Sequence, residues 1–366
     1  MRIGFVVAGG VDRPERGRDV PHLVERLRAL AGEHDIRVVA LRQEPRPARW
    51  SRHGIEVVNV GGRPRRVRAA AALYRLHLER RFDLLHAFVL VPLGVVVGGV
   101  GRILGVPSVL EAPGGEFASF PELDFGGWRR LTGRGWIASM ARWGPVVVHT
   151  GSQRVLALSR GVRATVIPLG LDEEAWPQRA PAAREEGPLR LAWIGTLNRI
   201  KSPERAVRAV AATDGATLEM MGEDLLGGAV QRLADRLGAA ERVRVHGPLA
   251  PERVRAVLDR SHALLVTSWF EGAGRAILEA AARGVPAVGT AVGHLAEWPE
   301  ASLTVPPDAS VEALAGVVAR LASDEGLRRR LAEAAGRRVA AHRMSHVAAT
   351  WSGFYARVSN STEAAR

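Results

Sequence analysis

The stretch Ala263-Leu-Leu-Val-Thr267-Ser-Trp-Phe-Glu271-Gly-Ala-Gly-Arg275-Ala-Ile-Leu-Glu279-Ala-Ala-Ala-Arg-Gly284-Val-Pro286 decides how this chain is read. Five residues of strand character, Ala263–Thr267, run into a loop holding two glycines, and a run of strong helix formers follows. Gly272 and Gly274 let backbone come close to a ligand, and the start of the helix offers unpaired N–H groups at its positive dipole end. This is an anion site suited to a diphosphate. Glu271 stands at the mouth of the loop. Glu279, eight residues on, falls about two turns further along, near the same face. Carboxylates accept hydrogen bonds from vicinal hydroxyls, so one could hold a sugar and the other a ribose.

Working outward, apolar strand-like runs alternate with amphipathic helical stretches along the whole chain. The first half gives strands at Ile3–Ala8, Arg37–Leu41, Ile55–Val60, Leu84–Phe88, Pro107–Leu110, Val146–His149 and Ala164–Pro168, with helical spacing at Val20–Gly32 and Val67–Arg80. The pattern restarts at Leu189–Gly195 and continues through Thr217–Met221, Arg242–Val245, Ala263–Thr267 and Ala287–Gly289. Apolar runs that do not alternate with polar residues suit strands buried on both faces of a parallel sheet. The fold class is therefore α/β, with two Rossmann-like βαβ domains whose sheets face an interdomain cleft. A length of 366 residues fits two such domains. The first covers residues 1–170 and the second residues 189–340. Residues 171–188, rich in Ala, Pro, Glu and Arg, read as the linker.

Cysteine is absent, which removes disulfides, thiolate chemistry and Cys-ligated zinc and fits a cytoplasmic protein. The short apolar run at the start reads as a first strand rather than a signal peptide, and no window is long enough for a membrane span. The net charge of +13 is unevenly spread, because residues 1–170 carry 26 arginines against 14 acids. Such a half expects an anionic partner. Two segments hold much of the charge. One contains Arg63, Arg65, Arg66, Arg68, Arg75, Arg80 and Arg81 with Glu79 as its only acid; the other joins Arg129, Arg130, Arg134 and Arg142 to Trp128, Trp136 and Trp143. Arginine and tryptophan at helical spacing suit a helix lying in a lipid headgroup layer, at the inner face of a cell membrane. No compact nucleic-acid-binding module is visible, so nucleic acid is not an expected partner.

The segment Glu271–Pro286 resembles the E-x7-E motif of retaining glycosyltransferases of the GT4 type. Glu271, Gly272, Gly274, Glu279, Ala280, Ala282, Gly284 and Pro286 match that pattern, and Ala273 replaces the usual Phe. The resemblance runs along most of the chain. It takes in Leu191–Ser202, Met220–Glu223, Arg242–Gly247, Phe82–Ala87 and Ile167–Asp172, and His342–Val358 resembles the helix that returns to the first domain in GT-B folds. Residues 341–366 are accordingly expected to return there.

The resemblance implies a metal-independent transfer, with retention, of a hexose-type sugar from a UDP- or GDP-sugar co-substrate to an acceptor hydroxyl. The acceptor would be a small-molecule, glycan or lipid-linked acceptor held by the first domain. Metal ligands are not expected, and the sequence contains no Asp-x-Asp. Lys201, the single lysine among 51 basic residues, falls where the family places its diphosphate-binding lysine. Glu271, Lys201 and Glu116 are the candidate catalytic residues. Donor binding is assigned to Gly9, Gly10, Arg199, Lys201, Gly222, Glu223, His246, Leu249, Glu271, Gly272, Ala273, Gly274, Arg275 and Glu279.

Two departures stand out. Thr196 follows Gly195 where the family often has Arg, and Arg199 or Arg275 could supply the charge. Pro113 occupies the place of a family His that touches the sugar, leaving Glu116 as the nearby polar group; His86 and His22 lie in the same half. The rival readings are a nucleotide-sugar epimerase, a non-catalytic sugar-nucleotide binder and a membrane-docking scaffold.

Overall fold

The computed structural model describes residues 1–363 apart from 15, 18, 130 and 185. The chain forms two compact units, residues 1–172 together with the C-terminal helix Met344–Glu363, and Glu173–Arg343.

In the first unit the strands are β1 (Arg2–Val7), β2 (Asp35–Ala40), β3 (Ala48–Arg52), β4 (Ile55–Asn59), β5 (Leu84–Phe88), β6 (Ser108–Glu111), β7 (Val146–Val148) and β8 (Ala164–Val166). They lie in the order β3-β4-β2-β1-β5-β6-β7-β8, and all pairs are parallel except β3 with β4. Alternation along β1 explains the two layers. Ile3, Phe5 and Val7 face the helices Pro21–Ala31 and Met344–Glu363, while Val6 faces Arg65–Glu79, Leu90–Leu104 and Leu131–Met140. The C-terminal helix is anchored by Trp351 and Tyr355, both fully buried among residues of β1, β2 and β5. Burying two rings of this size contributes roughly 2–3 kcal/mol each, enough to hold the helix on this sheet.

The second unit contains β9 (Leu189–Ile194), β10 (Ala216–Met221), β11 (Val243–Val245), β12 (Ala263–Val266), β13 (Ala287–Thr290) and β14 (Ser302–Val305). Its order is β11-β10-β9-β12-β13-β14, all parallel. The winding reverses between β9 and β12, which opens a crevice beyond their C-terminal ends. Two glycines let backbones meet near this edge. A Cβ on Gly222 would stand 1.9 Å from the carbonyl oxygen of Gly195, and one on Gly289 the same distance from that of Val266. The stretch read as a linker is held along the second unit: Arg179 N donates to Ala282 O at 2.8 Å, Gln178 Nε2 to Gly336 O at 2.8 Å, and Trp176 is buried.

Two strands escape the sequence reading. β3 buries only Trp50, so it shows no apolar run, and it is fixed by pairing with β4 through His53 and Gly54, both at positive φ as a tight two-residue hairpin requires. β14, Ser-Leu-Thr-Val, is half-buried along its length at the sheet edge.

Candidate active site

The crevice of the second unit is built by the loops after β9 and β12. Trp269 N donates to Ile200 O at 2.8 Å, tying the two loops together. Thr267 at the end of β12 reinforces the tie, its hydroxyl donating to Lys201 O at 3.1 Å and Ser202 O at 2.9 Å. Asn198 Oδ1 accepts from Lys201 N at 3.1 Å. The Lys201 side chain, its residue fixed through both backbone N and O, reaches across the switch point. Its Nζ lies 2.5 Å from both carboxylate oxygens of Glu271. Ser268 Oγ donates to Glu271 Oε1 at 2.7 Å and completes the shell. Both side chains keep part of their surface exposed, so the pair is open to a ligand.

Gly274 stands at φ +81 and starts the helix Arg275–Ala282, which explains why glycine is needed there. Ala273 is buried, and its carbonyl accepts from His294 N at 2.9 Å. A Cβ on Gly293 would stand 2.5 Å from that carbonyl oxygen, so the third loop of the crevice packs directly on the Gly272–Gly274 turn.

The carboxylates of Glu271 and Glu279 are held by different partners. Glu271 precedes the helix, in the loop, and binds Lys201. Glu279, within the helix and mostly buried, accepts from Arg275 Nε at 2.6 Å. Arg275 pairs with Glu279, and Arg199 stands exposed on the Lys201 loop.

Gly222 sits beside Gly195, and Lys201 Cδ lies 3.8 Å from where a Cβ on Gly195 would be, so these three belong to one wall. Glu223 contributes its carbonyl, which accepts from Leu197 N at 2.8 Å, while its side chain is exposed. His246 Nε2 is engaged with Glu219 Oε2 at 2.7 Å, within a network that includes Arg260. Burial works against the Glu219 charge, but hydrogen bonds from Arg260 and His246 outweigh it and hold the carboxyl below its ordinary range. Leu249 is half-buried in the loop that follows.

Gly9, Gly10 and Glu116 lie in the first unit. Gly10, at φ +93, donates its N–H to Gln43 Oε1 at 2.5 Å, and a Cβ there would meet Val20 at 2.5 Å. Its glycine character thus has a local packing reason, and Gly9 likewise backs onto Gln43. Glu116 lies in the loop after β6. Its carboxylate is buried, accepts from Gly114 N at 2.9 Å, and is pushed up by that burial to about 7. Gln153 Nε2 holds the same loop through Ala112 O and Gly114 O.

Behind this loop is a charged cluster that no spacing announced. Glu111, fully buried, binds Arg26 through both oxygens at 2.9 and 2.7 Å. His86 Nε2 and His149 Nε2 each lie 2.9 Å from it, and His86 Nδ1 is 2.8 Å from Tyr355 Oη on the C-terminal helix. His86 and His149 are thereby accounted for as structural groups of the first unit.

Residues 174–338 match the family described as glycosyl transferases group 1, and residues 17–176 match the glycosyl transferase 4-like domain. The chain is 33% identical over 144 residues to a D-inositol 3-phosphate glycosyltransferase of Mycobacteroides abscessus, an alignment covering 36% of this chain and 32% of that protein. The matched part spans about a third of such curated relatives. Among solved structures, sucrose-phosphate synthase of Thermosynechococcus elongatus superposes with a TM-score of 0.80 at 19% identity, covering 98% of both chains. HepE of Anabaena, solved in complex with UDP and glucose, superposes with a TM-score of 0.77 at 18% identity, covering 98% of this chain and 100% of that one. The chain belongs to the group 1, GT4-type glycosyltransferases, and its two α/β units are those of the GT-B fold.

Proposed function

We propose that the second unit holds a nucleotide-sugar, of the UDP or GDP type, with its diphosphate between Lys201 and the start of the helix Arg275–Ala282. The carrying observation is the Lys201–Glu271 pair across the β9/β12 switch point, 2.5 Å apart. A diphosphate entering there competes with Glu271 for the ammonium. Glu271 is then released toward the hydroxyls of the sugar. The N–H groups of the Gly272–Arg275 turn and the helix dipole add to the anion site, and Arg199 supplies a second cation from the same loop.

The reaction is a transfer with retention of a hexose-type sugar to an acceptor hydroxyl. The bond from the anomeric carbon to the diphosphate oxygen breaks, and the acceptor oxygen bonds to the same face. The acceptor proton passes to the departing diphosphate. Lys201 and the loop amides stabilise charge as it develops on that leaving group, and no metal is called on for the task. Glu116, on the first unit at the C-terminal edge of its sheet, meets the acceptor, which is a small-molecule, glycan or lipid-linked one.

Release of nucleoside diphosphate from UDP- and GDP-sugars in excess EDTA tests the reading. Turnover equal to that in magnesium is expected. Turnover abolished by EDTA and restored by a divalent ion would contradict it.

A further inference from the structure

The helix Arg65–Glu79 is apolar on two opposite sides. Ala69, Ala72, Leu73 and Leu76 face the core. Val67, Ala71, Tyr74 and Leu78, spaced by four, three and four residues, form a second stripe on the far side. That stripe is exposed, Val67 to 64%, Tyr74 to 46% and Leu78 to 67%. The neighbouring helices of the same layer add Ile103 at 79% and Trp136 at 48%. A run of exposed apolar side chains on one layer of helices marks a contact surface.

Its rim is basic. Arg66 and Arg75 border the stripe on opposite sides, and Arg63, Arg65 and Arg102 stand exposed nearby. Among the described residues, no carboxylate lies within ion-pair range of these five arginines. The tryptophans divide: Trp128 and Trp143 pack against the core, with Trp143 seated on Gly98, and Trp136 alone of the three is exposed. Arg130, part of the same sequence segment, lies outside the described residues.

We infer that this face of the first unit, centred on Val67, Tyr74 and Leu78, docks on an anionic lipid surface. Apolar side chains enter the acyl boundary while the flanking guanidiniums reach headgroup phosphates. A second copy of the chain would set the same arginines against one another, and a neutral partner would leave them without counter-charge. Among the described residues, no helix is long and apolar enough to cross a membrane, so the contact is a surface one.

The test is co-sedimentation of the full chain with vesicles of phosphatidylcholine alone or mixed with phosphatidylglycerol, alongside sedimentation velocity without lipid. Binding to the mixed vesicles only, weakened by salt, is expected. Leu78→Glu should lower that affinity about tenfold with an unchanged unfolding midpoint, while Leu225→Glu on the second unit leaves it intact. Equal sedimentation with both vesicle types, none with either, or unchanged binding by Leu78→Glu would overturn the assignment. So would a lipid-free dimer dispersed by Leu78→Glu, which would give the face to a second copy.

Discussion

Lys201 and Glu271 are 70 residues apart in sequence, yet the ammonium of one lies 2.5 Å from both carboxylate oxygens of the other. They come together because β9 and β12 are neighbours in the sheet although two strands and three helices separate them in the chain. The loop after each strand is fixed by the other, through Trp269 N to Ile200 O and Thr267 Oγ1 to Lys201 O. In the absence of an anion each charge satisfies its partner; a diphosphate offers the lysine a more highly charged one.

Removing that lysine should therefore act on the chemical step. Lys201→Ala is expected to lower kcat about 10²–10³-fold, the scale for losing one preorganised donor to a developing oxyanion. Lys201→Arg should recover only part of it, because the guanidinium fork cannot take the position of a compact ammonium. Steady-state turnover of a sugar nucleotide measures both.

Gly222→Ala should destabilise the second unit by about 3 kcal/mol or more. The residue stands at φ +144, and a methyl group there would lie 1.9 Å from Gly195 O. Urea unfolding followed by tryptophan fluorescence, through Trp193 and Trp269 in that unit, would show it. A wild-type midpoint would mean the β9–β10 edge yields freely.

Much of the second unit was legible because its signals are local. Glycines, a strand end and a helix start lie within twenty residues of one another in Ala263–Ala282, and a lone lysine stands out by composition. Ser268 and Thr267, which position Glu271 and Lys201, sat in the same quoted stretch, but hydroxyls at a strand end have no distinctive spacing. The cluster around Glu111 was invisible for a different reason. Its members come from the helix Pro21–Ala31, from β5 and β6, from the loop after β7 and from the C-terminal helix, so only the packed fold makes them neighbours. The tryptophans misled in part, since helical spacing does not say which side of a helix faces the sheet.

The same cluster predicts acid sensitivity of the first unit. Burial depresses His86 from 6.5 to about 4, against the pull of Glu111. Burial disfavours the Glu111 charge, but Arg26 and the two histidines outweigh it and hold that carboxyl well below its ordinary range. Both groups bind protons more readily in the unfolded chain, so stability is lost as pH falls, first from about 6.5 and further below 4.5. Urea midpoints at pH 7 and pH 5 should differ in that direction. Arg26→Met should cost about 3–5 kcal/mol at pH 7, since it strands a buried carboxylate.

Glu116 has the opposite sign. Its folded value of about 7 lies above the ordinary 4.5, so the unfolded chain releases this proton first as pH rises. The wild type therefore loses stability between these two values from this group. Glu116→Gln should gain relative to the wild type as pH goes from 4.5 to 7, then hold that gain at higher pH. Parallel unfolding series of the two proteins, compared pH by pH, would show a constant difference if the carboxyl titrates normally in the fold.

The central claim, a diphosphate site at the Lys201–Glu271 pair, is met most directly by thermal unfolding with UDP, GDP, dTDP and ADP on the wild type and on Lys201→Ala. A rise of several degrees with one nucleotide, abolished by the substitution, is the predicted result and would also name the base. No rise with any of the four, or one that survives Lys201→Ala undiminished, would contradict the account.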